Sequence, residues 1–283
     1  MRKNNSSWSQ IKITASSELD LISNFLFELG AQAVEECKNA RITYVLTSEK
    51  DTWLNHIHNF LSNLQNKGSV EVTELEDRNW AEEYKKFYKA QRLSRTFFLK
   101  PAWDHETPIP EESFPIVLDP GQAFGTGLHA STRLSLGLLE RNLSFFPMAD
   151  KIRVLDLGTG TGILAIGAYH FGVRQIEAYD NDPLAVEVAN ENFAQNKCKI
   201  TAKVGELASA GQFDILLSNI LLETHESLKE EYAKHIPKGG KLILAGVLGD
   251  QYARLKQIFA PLPFKEEIRV FLQEWVAVSY VRV

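Results

Sequence analysis

Cysteine is scarce: the 283 residues hold only Cys37 and Cys198, far apart, in no C-x-x-C pair and beside no histidine cluster. Neither a disulfide framework nor a metal site is expected, and a reducing compartment suits the chain. Long apolar runs are missing too. No stretch approaches the roughly 18 residues needed to span a bilayer, and the most apolar window, Ile215 to Leu222, is broken by Ser218 and Asn219. Met1 to Gln10 carry Arg2 and Lys3 with no apolar segment behind them, so they do not read as a secretory signal. A soluble, cytoplasmic protein is the expectation. Excess positive charge is also lacking, with 31 Lys and Arg against 36 Asp and Glu. A chain that grips nucleic acid through many phosphates would show a basic footprint, so strong direct nucleic-acid binding is not expected. There is no internal repeat or low-complexity segment. With 44% hydrophobic and 24% charged residues the composition is globular, and the length predicts one medium and one smaller domain.

The small domain comes first. Ser9 to Thr14 alternate as a half-buried strand with Ile11 and Ile13 on one face. Ser17 is a candidate N-cap for a helix through Leu21, Ile22, Phe25, Leu26 and Leu29, which Gly30 ends. A hairpin of Ala33 to Cys37 and Arg41 to Thr47 follows, then a helix marked by Trp53, Ile57, Phe60, Leu61 and Leu64, then a strand from Val70 to Leu75. The order β-α-β-β-α-β over residues 8–76 is that of a ferredoxin-like α+β sandwich. Residues 77–92 place Trp80, Tyr84, Phe87 and Tyr88 at helical spacing and read as a helical linker. The expected domains are therefore 1–76, a linker over 77–92, and 93–283.

After a strand at Thr96 to Leu99, the stretch holding Pro101, Pro108, Pro110, Pro115 and Pro120 is expected to be irregular, because proline lacks the ladder donor. Beyond it, helices and strands alternate from about Ser131 to the C-terminus, with helices expected over Pro183 to Gln195 and Glu226 to His235 among them, predicting a Rossmann-like, doubly wound α/β sheet. Its first strand ends in Val154-Leu155-Asp156-Leu157-Gly158-Thr159-Gly160-Thr161-Gly162. Glycines between an apolar strand and an apolar-periodic helix make a tight turn that a ligand can approach closely. Asp180, 22 residues beyond Gly158, ends the next strand, where a carboxylate accepts both hydroxyls of a ribose. A nicotinamide cofactor would use the same parts, but its pyrophosphate needs G-x-G-x-x-G; here the third glycine comes one residue early. The pattern favours S-adenosyl-L-methionine, with Asp156 in keeping with its charged end.

The segment resembles the first motif of class I methyltransferases, and Tyr179 to Pro183 their acidic second strand end. Leu118-Asp119-Pro120-Gly121-Gln122-Ala123-Phe124-Gly125-Thr126-Gly127-Leu128-His129-Ala130-Ser131-Thr132 and Ser218-Asn219-Ile220-Leu221 are similar to the bacterial ribosomal protein L11 methyltransferase family. Phe27 to Ala31 and Asn79 to Glu82 resemble its N-terminal and linker patterns, so the likeness covers nearly the whole chain. Where that family usually reads Thr-His-Pro-Thr-Thr, this chain has Leu128 to Thr132. The resemblance implies a ferredoxin-like substrate-recognition domain before a class I catalytic domain. It also implies methyl transfer to lysine side chains, and to an N-terminal amine, of a large-subunit ribosomal protein, by a monomer.

Cofactor contacts carried over with the resemblance fall on Thr132, Gly158, Asp180 and Asn219; Gly160 of the turn joins them, and Glu206 stands where this fold approaches adenine. Thr132 lies where a hydroxyl near a helix start can take a carboxylate, with helix capping as its other reading. Asn219, at the carboxyl edge of the sheet, is the expected catalytic residue, its carbonyl accepting from the acceptor amine. His129 is left as either a base or a brace for its loop. Three other readings remain. An adenine N6 methyltransferase also carries an Asn after this strand, but Ile220, Leu221 and Leu222 offer no ring to stack a flipped base. A nicotinamide oxidoreductase is the second, and a non-enzymatic binding module the third.

Overall fold

In a computed structural model, residues 8–29, 31, 34–62, 64, 68–75, 88–119, 125–144, 148–207 and 211–283 are described. The chain divides into two compact units, Met1–Phe87 and Tyr88–Val283.

In the first unit β1 (Trp8–Thr14), α1 (Leu19–Glu28), β2 (Glu35–Cys37), β3 (Ala40–Leu46), α2 (Lys50–Ser62) and β4 (Ser69–Leu75) follow in order. The sheet is antiparallel throughout, ordered β2-β3-β1-β4. Alternation decides which face is buried: Ile11, Ile13 and Val45 pack on Ile22, Leu26, Ile57 and Leu61 from the helices. Phe25 and Phe60 stack at 3.9 Å and tie α1 to α2. A charge is carried inside as well. Arg41 is buried, but its guanidinium donates to Ser23 Oγ at 2.6 Å and to the Cys37 and Ala40 carbonyls, which offsets the loss of hydration. Helix α1 begins at Leu19, after Glu18 at φ +62°, so Ser17 lies one residue outside the N-cap position.

The second unit opens with a small sheet of β5 (Gln91–Arg92), β6 (Phe97–Pro101) and β7 (Phe114–Leu118), ordered β5-β6-β7. Two expectations are corrected here. The helical linker over 77–92 lies outside the described residues as far as 87, but Gln91–Arg92 are extended and pair with Phe98–Leu99. The proline-rich stretch is not irregular throughout, since Phe114–Leu118 pairs in parallel with Phe97–Pro101 across Pro115. Proline is tolerated because β7 is an edge strand. That edge is bracketed by one side chain: Asn196 accepts from Val117 N at 2.8 Å and donates to its carbonyl at 2.6 Å, pairing as a strand would.

The main sheet is built from β8 (Arg153–Leu157), β9 (Gln175–Asp180), β10 (Ala202–Val204), β11 (Ile215–Asn219), β12 (Lys241–Leu248), β13 (Phe264–Leu272) and β14 (Trp275–Arg282). Their order is β10-β9-β8-β11-β12-β14-β13, parallel through the first five, with β14 antiparallel to both neighbours. Helices α3 (Ala130–Leu143), α4 (Ile163–His170), α5 (Pro183–Gln195), α6 (Leu222–His235) and α7 (Tyr252–Phe259) connect or cover them. Buried on both faces, the central strands read as unbroken apolar runs, as in Ile215-Leu216-Leu217. Strand order reverses between β8 and β11, and open α/β sheets bind ligands at the carboxyl ends flanking such a reversal.

Candidate functional site

Two turns leave the sheet on either side of that reversal. The first follows β8. Gly158, Gly160 and Gly162 have φ of +72°, +54° and +82°, where a Cβ is strained. The Gly158 and Thr159 amides donate to the Tyr179 carbonyl at 2.9 and 3.0 Å, fastening the turn to β9. Asp156 is fully buried; its Oδ2 accepts from Thr159 Oγ1 at 2.8 Å and from the Ala165 amide at 3.1 Å, while Oδ1 has no partner among the described residues. Burial pushes this carboxyl up to about 7, the Asp180 charge adds to the rise, and the two hydrogen bonds oppose it. Asp180 accepts from the Gly160 amide through Oδ2 at 2.9 Å and from the Asp182 amide through Oδ1 at 3.0 Å. The cap of α5 is Asp182, which takes the Leu184 amide, so Asp180 is not the helix cap.

The three glycines serve different ends. A Cβ on Gly158 would come 2.7 Å from Ile220 Cγ2, so this residue makes room for the opposite turn. On Gly162 it would come 2.5 Å from the Phe193 ring. The third glycine therefore permits close packing of α5, and ligand approach is not its reason.

The second turn follows β11. Asn219, its last residue, donates through Nδ2 to Thr132 Oγ1 at 3.4 Å, and its Oδ1 is buried without a partner among the described residues. Thr132 is wholly buried in the first turn of α3. The cap of that helix is His129, whose Nδ1 accepts from the Ser131 amide at 3.3 Å. The His129 ring also meets Ser131 Oγ at 2.7 Å and Trp275 edge-on at 4.5 Å. Both observations place His129 as a brace and Thr132 as an inward-facing hydroxyl, not a cap.

The loop before α3 is held at two points: Thr161 Oγ1 donates to the Gly125 carbonyl at 2.6 Å and Tyr88 to the Thr126 carbonyl at 2.6 Å, and Thr161 is itself fixed by Asn192, which donates to its carbonyl at 2.9 Å. Phe124 lies outside the described residues. A cavity of about 330 Å³ opens between the two turns, lined by Gly158, Asp180, Glu206 and Ile220 among others. It gathers three of the expected residues; Gly160 joins them through its bond to Asp180, and Thr132 with Asn219 forms a second pair next to Ile220. A larger, shallow groove of about 600 Å³ runs along α3 beside Arg133 and Phe271, and none of the expected residues lines it. Among the described residues no three His, Cys, Asp or Glu side chains gather as a metal site requires, and no helix is long and apolar enough to cross a membrane.

Sequence reasoning overlooked His225, Tyr232 and Asn192. His225, fully buried, has Nε2 2.9 Å from the Ala245 carbonyl and Nδ1 2.9 Å from the Tyr232 hydroxyl. The signal was present: Leu222, His225 and Tyr232 fall on one stripe of α6, and a histidine on a buried stripe needs partners.

A family model described as ribosomal protein L11 methyltransferase (PrmA) matches residues 7–283. A protein of that name from Pelobacter propionicus is 33% identical over 97% of both chains. Another, from Exiguobacterium, is 30% identical over 96% of this chain and 98% of its own. Among solved structures, the ribosomal protein L11 methylase of Lactobacillus delbrueckii subsp. bulgaricus superposes with a TM-score of 0.63 at 30% identity, covering 69% of this chain and 99% of that one.

Proposed function

The chain belongs to the ribosomal protein L11 methyltransferase family, and on that premise we propose that it transfers methyl groups from S-adenosyl-L-methionine to lysine side chains, and to the N-terminal amine, of ribosomal protein L11 in the cytoplasm. The observation that carries this reading is the Asn219 side-chain carbonyl, buried at the carboxyl edge of β11 with no partner among the described residues. A buried acceptor without a donor costs about 1–3 kcal/mol, which a donor amine would relieve.

The residues present fit the cofactor. Asp180 would take the ribose hydroxyls, Glu206 the adenine amine, and Thr132 at the start of α3 the methionine carboxylate. When bound, S-adenosyl-L-methionine supplies an electrophilic methyl group on a sulfonium. The protein's task is then alignment. Asn219 accepts a hydrogen bond from the acceptor nitrogen and orients its lone pair. A lysine in water titrates near ~10.4, and burial lowers that value by disfavouring the charged form. Ile220, which lines the cavity beside Gly158, adds an apolar surface at the same place. The first unit serves as the substrate-recognition module.

The test is incubation of the purified chain with recombinant L11 and cofactor labelled on its methyl group. Label on L11 lysines, mapped by peptide mass spectrometry, is the expected result; label on adenine bases, or none on L11, overturns the assignment. Thermal stabilisation by S-adenosylhomocysteine and none by NAD separates this reading from a nicotinamide enzyme.

A further inference from the structure

Beside the Asn219 turn runs a buried polar chain that contains none of the expected site residues. His225 stands in the first turn of α6, with Ala245 at one ring nitrogen and Tyr232 at the other. A carbonyl only accepts, so Nε2 carries the proton and donates to Ala245, and Nδ1 accepts from the Tyr232 hydroxyl. Ser218 Oγ lies 3.4 Å from that same hydroxyl. These contacts bracket one short segment. Ser218 precedes Asn219, and Ala245 is the residue of β12 paired with Asn219.

The segment is also pressed from the side. The register of β12 against β14 shifts between Leu244 and Val247, and within that irregularity Gly246 has φ +81°. Any Cβ there would overlap the backbone of Ile220. The turn thus lies directly on β12, pinned on its far side by the ring on α6. Burial pushes the His225 pKa down to about 4, against the raising effect of the Ala245 and Ile220 backbone, so the ring is neutral near pH 7. It is a poor base, since its basicity is low and its one lone pair is occupied by the Tyr232 hydroxyl. A wholly apolar filling would avoid the cost of burying three polar groups, and what these groups add is a fixed geometry.

We propose that His225, together with Tyr232, is a positioning residue that locks the Ser218–Leu221 turn against Ala245 and so aims the Asn219 carboxamide at the acceptor amine. The inference rests on the role given to Asn219 above, and two readouts keep the two apart.

In the full-length chain, His225→Phe removes both hydrogen bonds at similar volume, and His225→Gln restores a donor toward Ala245. The Phe variant is expected to lower kcat on L11 about tenfold to a hundredfold with KM nearly unchanged, the signature of a lost orienting contact. Gln should recover activity to within about threefold of the parent. Hydrogen exchange of the peptide covering 218–222 should quicken about tenfold in the Phe variant, from the loss of one buried hydrogen bond. Should that variant not fold, Tyr232→Phe gives the same readouts at about threefold size. Parental kcat and parental exchange in a folded Phe or Tyr232→Phe variant overturns the proposal. So does a Gln variant as impaired as Phe with a matching fall in Tm, which marks a merely structural role. If Asn219→Ala stays active but exchange quickens in His225→Phe, the lock stands and the role of Asn219 falls.

Discussion

The turn after β8 and the turn after β11 face each other across one cavity but are made rigid by opposite means. The first has three glycines at positive φ and is tied by ionisable groups, Asp180 accepting from its Gly160 amide and Asp156 from its Thr159 hydroxyl. The second has no glycine. Its room comes from Gly158 and Gly246 on other segments, and its ties come from neutral side chains, His225, Tyr232 and Ser218. A turn that meets a ligand with its backbone must be thin, whereas one that presents a side chain must be stiff beneath it. The two constructions suit the two tasks proposed for these turns.

The sharpest break of this contrast is Asn219→Ala. Methyl transfer should fall by about 10²–10³-fold, the usual loss when an orienting group at the reacting centre is removed, while the urea midpoint stays close to the parent; a variant with near-parental activity ends the idea that the second turn acts through its side chain. Next come Gly162→Ala and Gly246→Ala, each forcing a Cβ at positive φ into the Phe193 ring or the Ile220 backbone. Each should cost about 2–4 kcal/mol in denaturant unfolding, and a neutral outcome refutes the packing reason given for that glycine. Asp180→Ala should weaken S-adenosylhomocysteine binding by about 10- to 100-fold in titration calorimetry; equal weakening by His225→Phe would erase the distinction between the turns.

The last effect is in pH. Asp156, held at about 7 against an ordinary 3.8, favours the folded unit most below 3.8 and loses that contribution as pH climbs through about 7. His225, held at about 4 against 6.5, does the reverse: it favours the fold above 6.5 and loses that contribution as pH falls to about 4. Melting curves should therefore show Asp156→Asn gaining on the parent as pH rises over the first interval. His225→Gln should gain as pH falls over the second. Parallel curves in both cases would mean that neither group differs between the folded and unfolded chain.

Much of this was readable beforehand, for physical reasons particular to each element. The strand-glycine-helix run from Val154 to Gly162 is a local pattern, and the α5 boundaries, Pro183–Gln195, match the sequence reading residue for residue because proline starts and amphipathic spacing sustains the helix. Helix α6 begins four residues earlier than its periodicity suggested, since Leu221 caps it without a side-chain bond and leaves no polar signal. Pro115 hid β7, whose pairing is decided by being an edge strand and by Asn196, 81 positions later in the chain. Of the partners of His225, Tyr232 lies 7 residues on along the same helix, whereas Ala245, 20 residues away on β12, is a contact that only the tertiary fold creates. Within the site, Asp180 and Asn219 could be named from strand ends, but that Thr132 meets Asn219 across 87 residues could not.

The reversed strand β14 has a further consequence for how such a site changes. A parallel strand can bring only its end to the catalytic edge, and everything beyond must cross back over the sheet. Strand β14 brings its beginning there, delivering Trp275 against His129 straight out of a hairpin in which Gln273 alone takes φ +55°. A connection of two residues on the surface can lengthen or change composition without rethreading any helix. The edge of the sheet beside His129 is thus joined to the fold by a two-residue loop, while the turns that carry Gly158 and Asp180 are built into helical crossovers.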